Sequence, residues 1–543
     1  MTGVQTCALP ISLTLNTDLQ RRIESGLERY IDRIPEKVYV HTDKPYYSAG
    51  ETIWFKAYLV DAVDHRADVL SGVLYVELID PSEKLIAQRV LRVEAAGAAG
   101  DLQLPADLPD GRYQLRAYTR YQRNQGLEYF FAQELPIFGL QAGKAGAASK
   151  TVALTSNAAD APAPEFVVGF YPEGGELVAG LRSKIGVKAI DRSGRGIALA
   201  GRVIDLQGEE VARFQTQEKG LGLLSLLPEA GQLYTALVEY GDRGRRIQLP
   251  APRTGGYTLS ASTRPGGDHL NITIEASEYR SVADVLLVAH TRGRLVAIAE
   301  AAPEQEDTFR GALPLRDFPP GVAHLTLLTT KGQPVAERLV FVRHPGREAA
   351  LQIAADRSAY RAREAVTLDI GLRDAPAAHL SVSVTDAASV AQHPHAENIY
   401  TYLLLNADLP GRIDRPGYFF EQPGDARRQA ELDLLLLTQG WRRFRWKNIL
   451  SEKAPAPAFS PERDIQLQGR ITDRFQKPVG AGFVWLTAYK NDLVTTTKLR
   501  TDDEGRFALH NLHLADTTRF LLQARKPGKR ALAAPEIPDN PDG

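Results

Sequence analysis

Between Thr17 and Pro35 the apolar residues fall at Leu19, Ile23, Leu27, Tyr30, Ile31 and Ile34. That spacing of three to four predicts one amphipathic helix, with Asn16 or Thr17 as N-cap and Pro35 as the stop. From Glu36 the period drops to two. In ETIWFKAYLVD, Ile53, Phe55, Ala57 and Leu59 share one face, and KVYVHT, GVLYVELID and LIAQRVLRV continue the strand pattern. DKPYYSAG, DPSEK and LPDGR supply turn residues between them. Short strands closed by such turns predict an antiparallel sandwich. No run approaches the ~18 to 20 apolar residues of a membrane helix; the longest pieces, DVLLVAH and LDLLLLTQG, are far shorter.

Applied along the whole chain, the same reading predicts an all-β protein: serial immunoglobulin- or fibronectin-like antiparallel sandwiches with an N-terminal helix and one helical insertion. The expected division is a helix within 13–35, a sandwich over 36–140, a small, polar linker over 141–165, and sandwiches over 166–252 and 253–346. A fourth sandwich is expected over 347–450, interrupted by a helical insertion at about 387–446. A Pro-rich joint at 451–464, a small strand-rich unit at 465–535 and a polar tail at 536–543 complete it.

An internal repeat supports the division. DKPYYSAGETIWFKAYLVD aligns without a gap on DRSAYRAREAVTLDIGLRD, matching Asp43 with Asp356, Lys44 with Arg357, Tyr47 with Tyr360, Glu51 with Glu364 and Leu59 with Leu372. The repeat means a tight entry turn that feeds a strand with one buried face. Asp43, Lys44 and Glu51 recur as Asp356, Arg357 and Glu364, which favours a structural ion-paired corner over an acid–base site.

Composition narrows the function classes. The 543 residues carry 65 basic and 66 acidic side chains, well mixed, so no basic stripe for nucleic acid is present and nucleic acid is not an expected partner. The single cysteine, Cys7, and the single methionine, Met1, both lie in MTGVQTCALPIS. Met1 to Ile11 resembles the translation of a sequencing-library adapter, so residues 1–12 are expected to be foreign, with the natural chain starting at or after Ser12 and its export signal missing. Without Cys7 the chain has no thiol nucleophile, zinc-thiolate site or thioester cysteine.

Candidate chemistry is sparse. His393, His395 and Glu397 lie close together, but Pro394 breaks the helix that a His pair would need, so no metal site is expected. Asp502, Asp503 and Glu504 in TDDEGRF lack the alternating ligands of a calcium loop and read as a solvated turn. No nucleophile elbow, phosphate loop or dinucleotide fingerprint occurs, so no catalytic residue and no cofactor are expected. ELDLLLLTQGWRRFRW is the exception. Leu434, Leu437, Trp441 and Phe444 would share one helical face, while Trp441, Arg442, Arg443 and Trp446 form a candidate surface for a protein partner. The competing reading is that Trp441 anchors the insertion on its sandwich. Trp54 reads as structural, at a cost of roughly 3 to 5 kcal/mol on truncation if its ring is buried.

VYVHTDKPYYSAGETIWFKAYLVD, together with LPDGRYQLRAYTRY at 108–121, resembles the macroglobulin domain of alpha-2-macroglobulins and bacterial envelope relatives. GRITDRFQKPVGAGFVWLTA at 469–488 and TDDEGRFALHNL at 501–512 resemble a carboxypeptidase regulatory-like domain, which implies that Gly505 makes a turn and Phe507 plugs a core. The order of these modules is similar to that of large outer-membrane-associated proteins that continue into a TonB-dependent receptor plug. The resemblance implies a non-enzymatic binding or scaffolding arm in the periplasm or at the outer membrane of a Gram-negative envelope. Any membrane association would come only through segments outside this chain. The alternative it implies is a macroglobulin-like endopeptidase inhibitor lacking the thioester.

Overall fold

The computed structural model describes residues 17–139, 166–300, 307–344, 349–512, 519–525 and 532–536, apart from short breaks at 96, 242, 265, 279, 373–377, 391–392, 441–443, 452–455, 474, 476, 491–492 and 511. The adapter-like start, the 141–165 linker and the end of the tail fall outside the described residues. What is described is all-β, built of antiparallel sheets, with an N-terminal helix and a helical insertion.

Helix α1 (Thr17–Ile31) leads into the first sandwich, made of β1 (Glu36–Thr42), β2 (Tyr47–Ser48), β3 (Thr52–Asp61), β4 (Val73–Ile79), β5 (Leu85–Arg92), β6 (Gly97–Gln103), β7 (Gly111–Tyr118) and β8 (Phe131–Phe138). Its sheets run β1-β3-β6 and β2-β8-β7-β4-β5. Alternation along β3 sends Ile53, Phe55, Ala57 and Leu59 into the core against Leu74, Val76, Leu115, Phe131 and Leu135. The same alternation sends Trp54 outward, where its side chain is 60% exposed. The expectation that Trp54 is buried is therefore wrong.

The second sandwich pairs β9 (Phe166–Pro172), β10 (Ser183–Asp191) and β13 (Leu221–Leu226) against β11 (Ala200–Ile204), β12 (Glu210–Gln215), β14 (Thr235–Tyr240) and β15 (Arg243–Gln248). In the third, β16 (Tyr257–Thr263), β17 (His269–Ala276) and β20 (Thr308–Pro314) face a sheet ordered β19-β18-β21-β22. Those four strands are β18 (Val285–Thr291), β19 (Arg294–Glu300), β21 (Gly321–Thr329) and β22 (Pro334–Val342). Every residue of β18 is buried, because one face of its sheet meets β16-β17-β20 and the other meets helices. This explains the unbroken apolar run DVLLVAH, which alternation would otherwise forbid.

Among the described residues the next strands, β23 (Leu351–Ala355) and β24 (Leu368–Leu372), pair only with each other. Where a fourth sandwich was expected, the structure shows this hairpin with both faces largely exposed. The insertion follows as α2 (Ile399–Leu404), α3 (Ala426–Leu437) and α4 (Trp446–Ile449). Finally β25 (Leu467–Thr472), β26 (Phe483–Lys490), β27 (Leu493–Arg500), β28 (Arg506–Leu509), β29 (Arg519–Arg525) and β30 (Leu532–Glu536) form one curled sheet. Its core holds Ile471, Val479, Val484, Phe507 and Ala524, and Gly505 takes a left-handed φ of 76° in the turn before Phe507.

Candidate functional site

The insertion is a keystone between the sandwiches. Its Leu405, Leu409, Ile413, Phe419, Leu432, Leu435 and Leu436 pack with Leu221 of the second sandwich and with Val322 and Leu339 of the third. Tyr402 on α2 enters the first core, its ring 5.5 Å from that of Tyr39 and 5.3 Å from that of Phe131. Asn398 caps α2 by accepting from the Thr401 amide at 3.0 Å, and Asp425 caps α3 by accepting from Arg427 and Arg428.

Two ionic clusters, one buried and one reaching the surface at Asp433, reinforce this packing. Lys37 Nζ, on β1, lies 2.9 Å from the Asp408 carboxylate, donates to Leu403 O at 3.1 Å, and sits 3.0 Å from His65 Nε2. Arg292, just after β18, donates to Val63 O and Pro320 O at 2.8 Å each, with Asp408 3.9 Å away. One carboxylate from the insertion thus answers cations from the first and third sandwiches. In the second cluster Arg338 on β22 donates from Nε to Glu173 at 2.8 Å and from Nη2 to Asp433 at 2.7 Å. It joins the second and third sandwiches to α3.

Helix α1 docks on the outer face of the third sandwich. Leu19, Ile23 and Leu27 meet Leu286, Val288 and Leu328, together with Trp446, Ile449 and Leu450. At Gly26 the backbones approach so closely that a Cβ would lie 2.2 Å from Ile449 O. Arg22 and Arg29 donate to the carbonyls of Leu450 and Ser451 at 2.9 and 3.0 Å, satisfying the end of α4.

Of the four residues expected to form a partner surface, Trp441, Arg442 and Arg443 lie outside the described residues. Trp446 does not belong to a surface. It is 1% exposed, with its ring against His290 at 5.8 Å and Phe444 at 5.5 Å. The helical face expected to run from Leu434 to Phe444 also fails, because α3 ends at Leu437, where Thr438 folds its hydroxyl back onto Leu435 O at 2.9 Å. The buried residues of α3 are Leu432, Leu435 and Leu436.

Beside Phe444 opens a cleft of about 770 Å³ between α1, the 3₁₀ turns at Tyr121–Asn124 and Leu127–Tyr129, and residues 444–449 and 456–459. Among the described residues Arg29, Arg33, Arg123 and Arg445 line it, with Glu128 as the one carboxylate. Its floor is aromatic, with Tyr30 5.1 Å from Phe444 and the Arg123 guanidinium 4.0 Å above Phe459. Asn124 and Phe459 exchange two hydrogen bonds, of 2.7 and 2.9 Å, and Gly72 N donates to Glu462 O at 2.6 Å. From Phe459 to Glu462 the expected Pro-rich joint is therefore docked on the first sandwich. Neither the cleft nor the two ionic clusters was readable in the sequence, because their members lie hundreds of residues apart.

The other singled-out residues resolve separately. His395 Nδ1 is 2.7 Å from the Glu421 carboxylate, while Glu397 accepts from Asn406. Among the described residues no three His, Cys, Asp or Glu converge as a metal site. Asp502 accepts from the amides of Glu504 and Arg506 at 3.0 and 2.7 Å, as a turn residue does.

A model of the MG2 domain family matches residues 37–131, from β1 through β7 of the first sandwich to the start of β8. The first sandwich is macroglobulin-like. No curated protein matches the chain. The chain is similar to Escherichia coli alpha-2-macroglobulin activated by porcine elastase, at 11% identity and TM-score 0.21, over 90% of this chain and 42% of that one. A Salmonella alpha-2-macroglobulin mutant gives 10% identity and TM-score 0.17, over 92% of this chain and 39% of the other. Dimeric latent PorU from Porphyromonas gingivalis gives 11% and 0.25, over 57% of this chain and 34% of that one. The chain with its macroglobulin-like sandwich thus spans about two-fifths of the alpha-2-macroglobulins it resembles. None of the described helices is long and apolar enough to cross a membrane.

Proposed function

We propose that this chain is a non-enzymatic, extracytoplasmic arm of a cell-envelope protein that positions binding surfaces on a rigid row of sandwiches. The observation that carries the reading is the insertion, which joins three sandwiches through one apolar cluster, the buried Lys37–Asp408 pair and the Arg338–Asp433 pair. Sandwiches keyed together in this way hold a fixed spacing, as a scaffold requires, and the MG2 match to the first of them supports the same class. The arginine-rich cleft beside Phe444 suits a carboxylate-bearing protein segment, and the partner-surface candidates Trp441, Arg442 and Arg443 immediately precede Phe444 in the sequence.

The finer reading takes residues 465–535 as a carboxypeptidase regulatory-like module and the whole as part of an outer-membrane protein bearing a TonB-dependent receptor plug. Fractionation of cells expressing the natural gene product tests it. Sedimentation with the outer membrane, with this region open to added protease once the envelope is breached, is the expected result. Recovery in the cytoplasmic fraction would overturn it. The inhibitor alternative has a separate readout: a protease mixed with the purified chain should cleave large and small substrates at unchanged rates, and selective protection of the large substrate would favour the inhibitor.

A further inference from the structure

The internal repeat is reproduced bond for bond, but only one copy is covered. In the first copy Tyr47 donates to Asp43 at 2.6 Å, Asp43 also accepts from the Trp54 amide at 3.0 Å, and Glu51 accepts from Lys44 Nζ and the Ser48 amide at 2.7 Å each. In the second, Tyr360 donates to Asp356, Asp356 accepts from the Thr367 amide at 3.0 Å, and Glu364 accepts from Arg357 and, at 2.8 Å, from the Arg361 amide. The strand register is the same as well: Val38 faces Leu59 and Thr42 faces Phe55, while Leu351 faces Leu372 and Ala355 faces Leu368.

Burial is opposite in the two copies. Val38, Val40, Ile53 and Phe55 are buried, whereas their counterparts Leu351, Ile353, Val366 and Leu368 are 42 to 62% exposed. The repeat continues further than the corner. LYVELID at 74–80, which forms β4, corresponds to LSVSVTD at 380–386, where Leu380, Val382 and Val384 are exposed too. Exposed apolar side chains gathered on a paired strand element mark an interaction surface.

The first copy shows what fits there. Its β1-β3 face is covered by β4, β7 and β8, and β8 enters parallel to the corner, pairing Ile137 with Tyr47 and Phe138 with Ser48. The corresponding backbone at Tyr360–Arg361 pairs with no strand among the described residues. After Asp386 the chain turns into the insertion, and β25 to β30 are occupied in their own sheet. A second copy of this hairpin would bring another β1-β3-type half, not the β7-β8-type half that the face lacks.

We propose that the paired strands β23 and β24, Leu351–Ala355 and Leu368–Leu372, form an acceptor half-sandwich, completed by a β-hairpin donated by another polypeptide. The donor's last strand runs parallel to Tyr360–Arg361, and its alternating apolar face covers Leu368 and Ile370. Backbone pairing at the corner supplies affinity, and the exposed side chains of Ile353, Leu368 and Ile370 supply side-chain preference.

The chain's own β7-β8 segment, residues 108–139, serves as the probe, both as a free peptide and fused to the full chain through a flexible Gly/Ser linker. The linker raises its effective concentration to about the millimolar range. Amide exchange at 368–372 is expected to slow roughly tenfold or more on complementation. Ile370→Asp should abolish that protection, and because Ile370 is already solvent-facing, circular dichroism should stay unchanged. A probe carrying Leu135→Asp should also fail. No added protection in the fused chain would overturn the proposal, as would protection that survives Ile370→Asp. So would a dimer of the unmodified chain that Ile370→Asp dissociates, since a second copy would then be the occupant. These readouts concern one face in the purified chain and stand apart from the envelope assignment.

Discussion

Burial of individual residues depended on facts the sequence offers unevenly. Trp54 sits between Ile53 and Phe55, so the two-residue period that buries them turns the indole to solvent. Trp54→Ala should shift stability by no more than about 0.5 kcal/mol in urea denaturation, in contrast to the cost expected of a core tryptophan. Asp408 is the opposite case, unremarkable in the sequence yet the carboxylate facing Lys37 and Arg292 in the interior. Asp408→Ala leaves those cations without it and should cost about 3 to 5 kcal/mol, read as a lowered thermal midpoint. Glu397 adds a pH dependence. Burial pushes its carboxyl up to about 7 from an ordinary value near 4.5, against the hydrogen bond from Asn406 that lowers it. An acid whose folded value is raised binds its proton more tightly when folded, so this group's contribution to stability falls as pH rises through that window. Glu397→Gln should therefore stabilise the protein at about pH 8 relative to the parent and much less at about pH 5, measured by denaturation at both.

Among elements, one turn recurs. Asp80, Asp191, Asp205 and Asp502 each accept from the amides two and four residues on, and the residue three on takes a left-handed φ. Glycine stands there at 194, 208 and 505, but Glu83 occupies it in the first sandwich at φ 67°. A side chain in that region costs about 1 kcal/mol, so Glu83→Gly should raise the urea midpoint accordingly, whereas Gly505→Ala should lower it. Such turns and the alternation between them made the sandwiches legible, because both are local. The reach of α3 was not. LDLLLLTQGWRRF reads as one helix until Thr438 bonds back to Leu435, and which leucines face inward depends on Val322 and Leu339, about a hundred residues upstream. The hairpin β23-β24 misled for a related reason: its sequence specifies a buried face, and the rest of the described fold does not cover it.

At the scale of the molecule, the sandwiches were readable one at a time and their assembly was not, since the residues joining them are single charges such as Lys37, Asp408 and Arg338 without local context. The assembled cores predict the unfolding behaviour. The first three sandwiches share the insertion, while β25 to β30 enclose a core of their own. Calorimetry should show one large transition for the joined sandwiches and a separate smaller one for the last sheet, and substitution of Phe507 by Ala should move only the latter. Gly26, where α1 meets Ile449 without room for a single carbon, belongs to the same assembly.

Proteins of serial sandwiches are commonly treated as beads that recombination can duplicate, delete or exchange. Here residues 399–440 and 444–450 lie across three of the beads at once. Excising any one of them would leave part of the insertion's apolar surface uncovered, so lineages carrying this insertion should change by surface substitution and loop growth, with the number and order of the three sandwiches held constant.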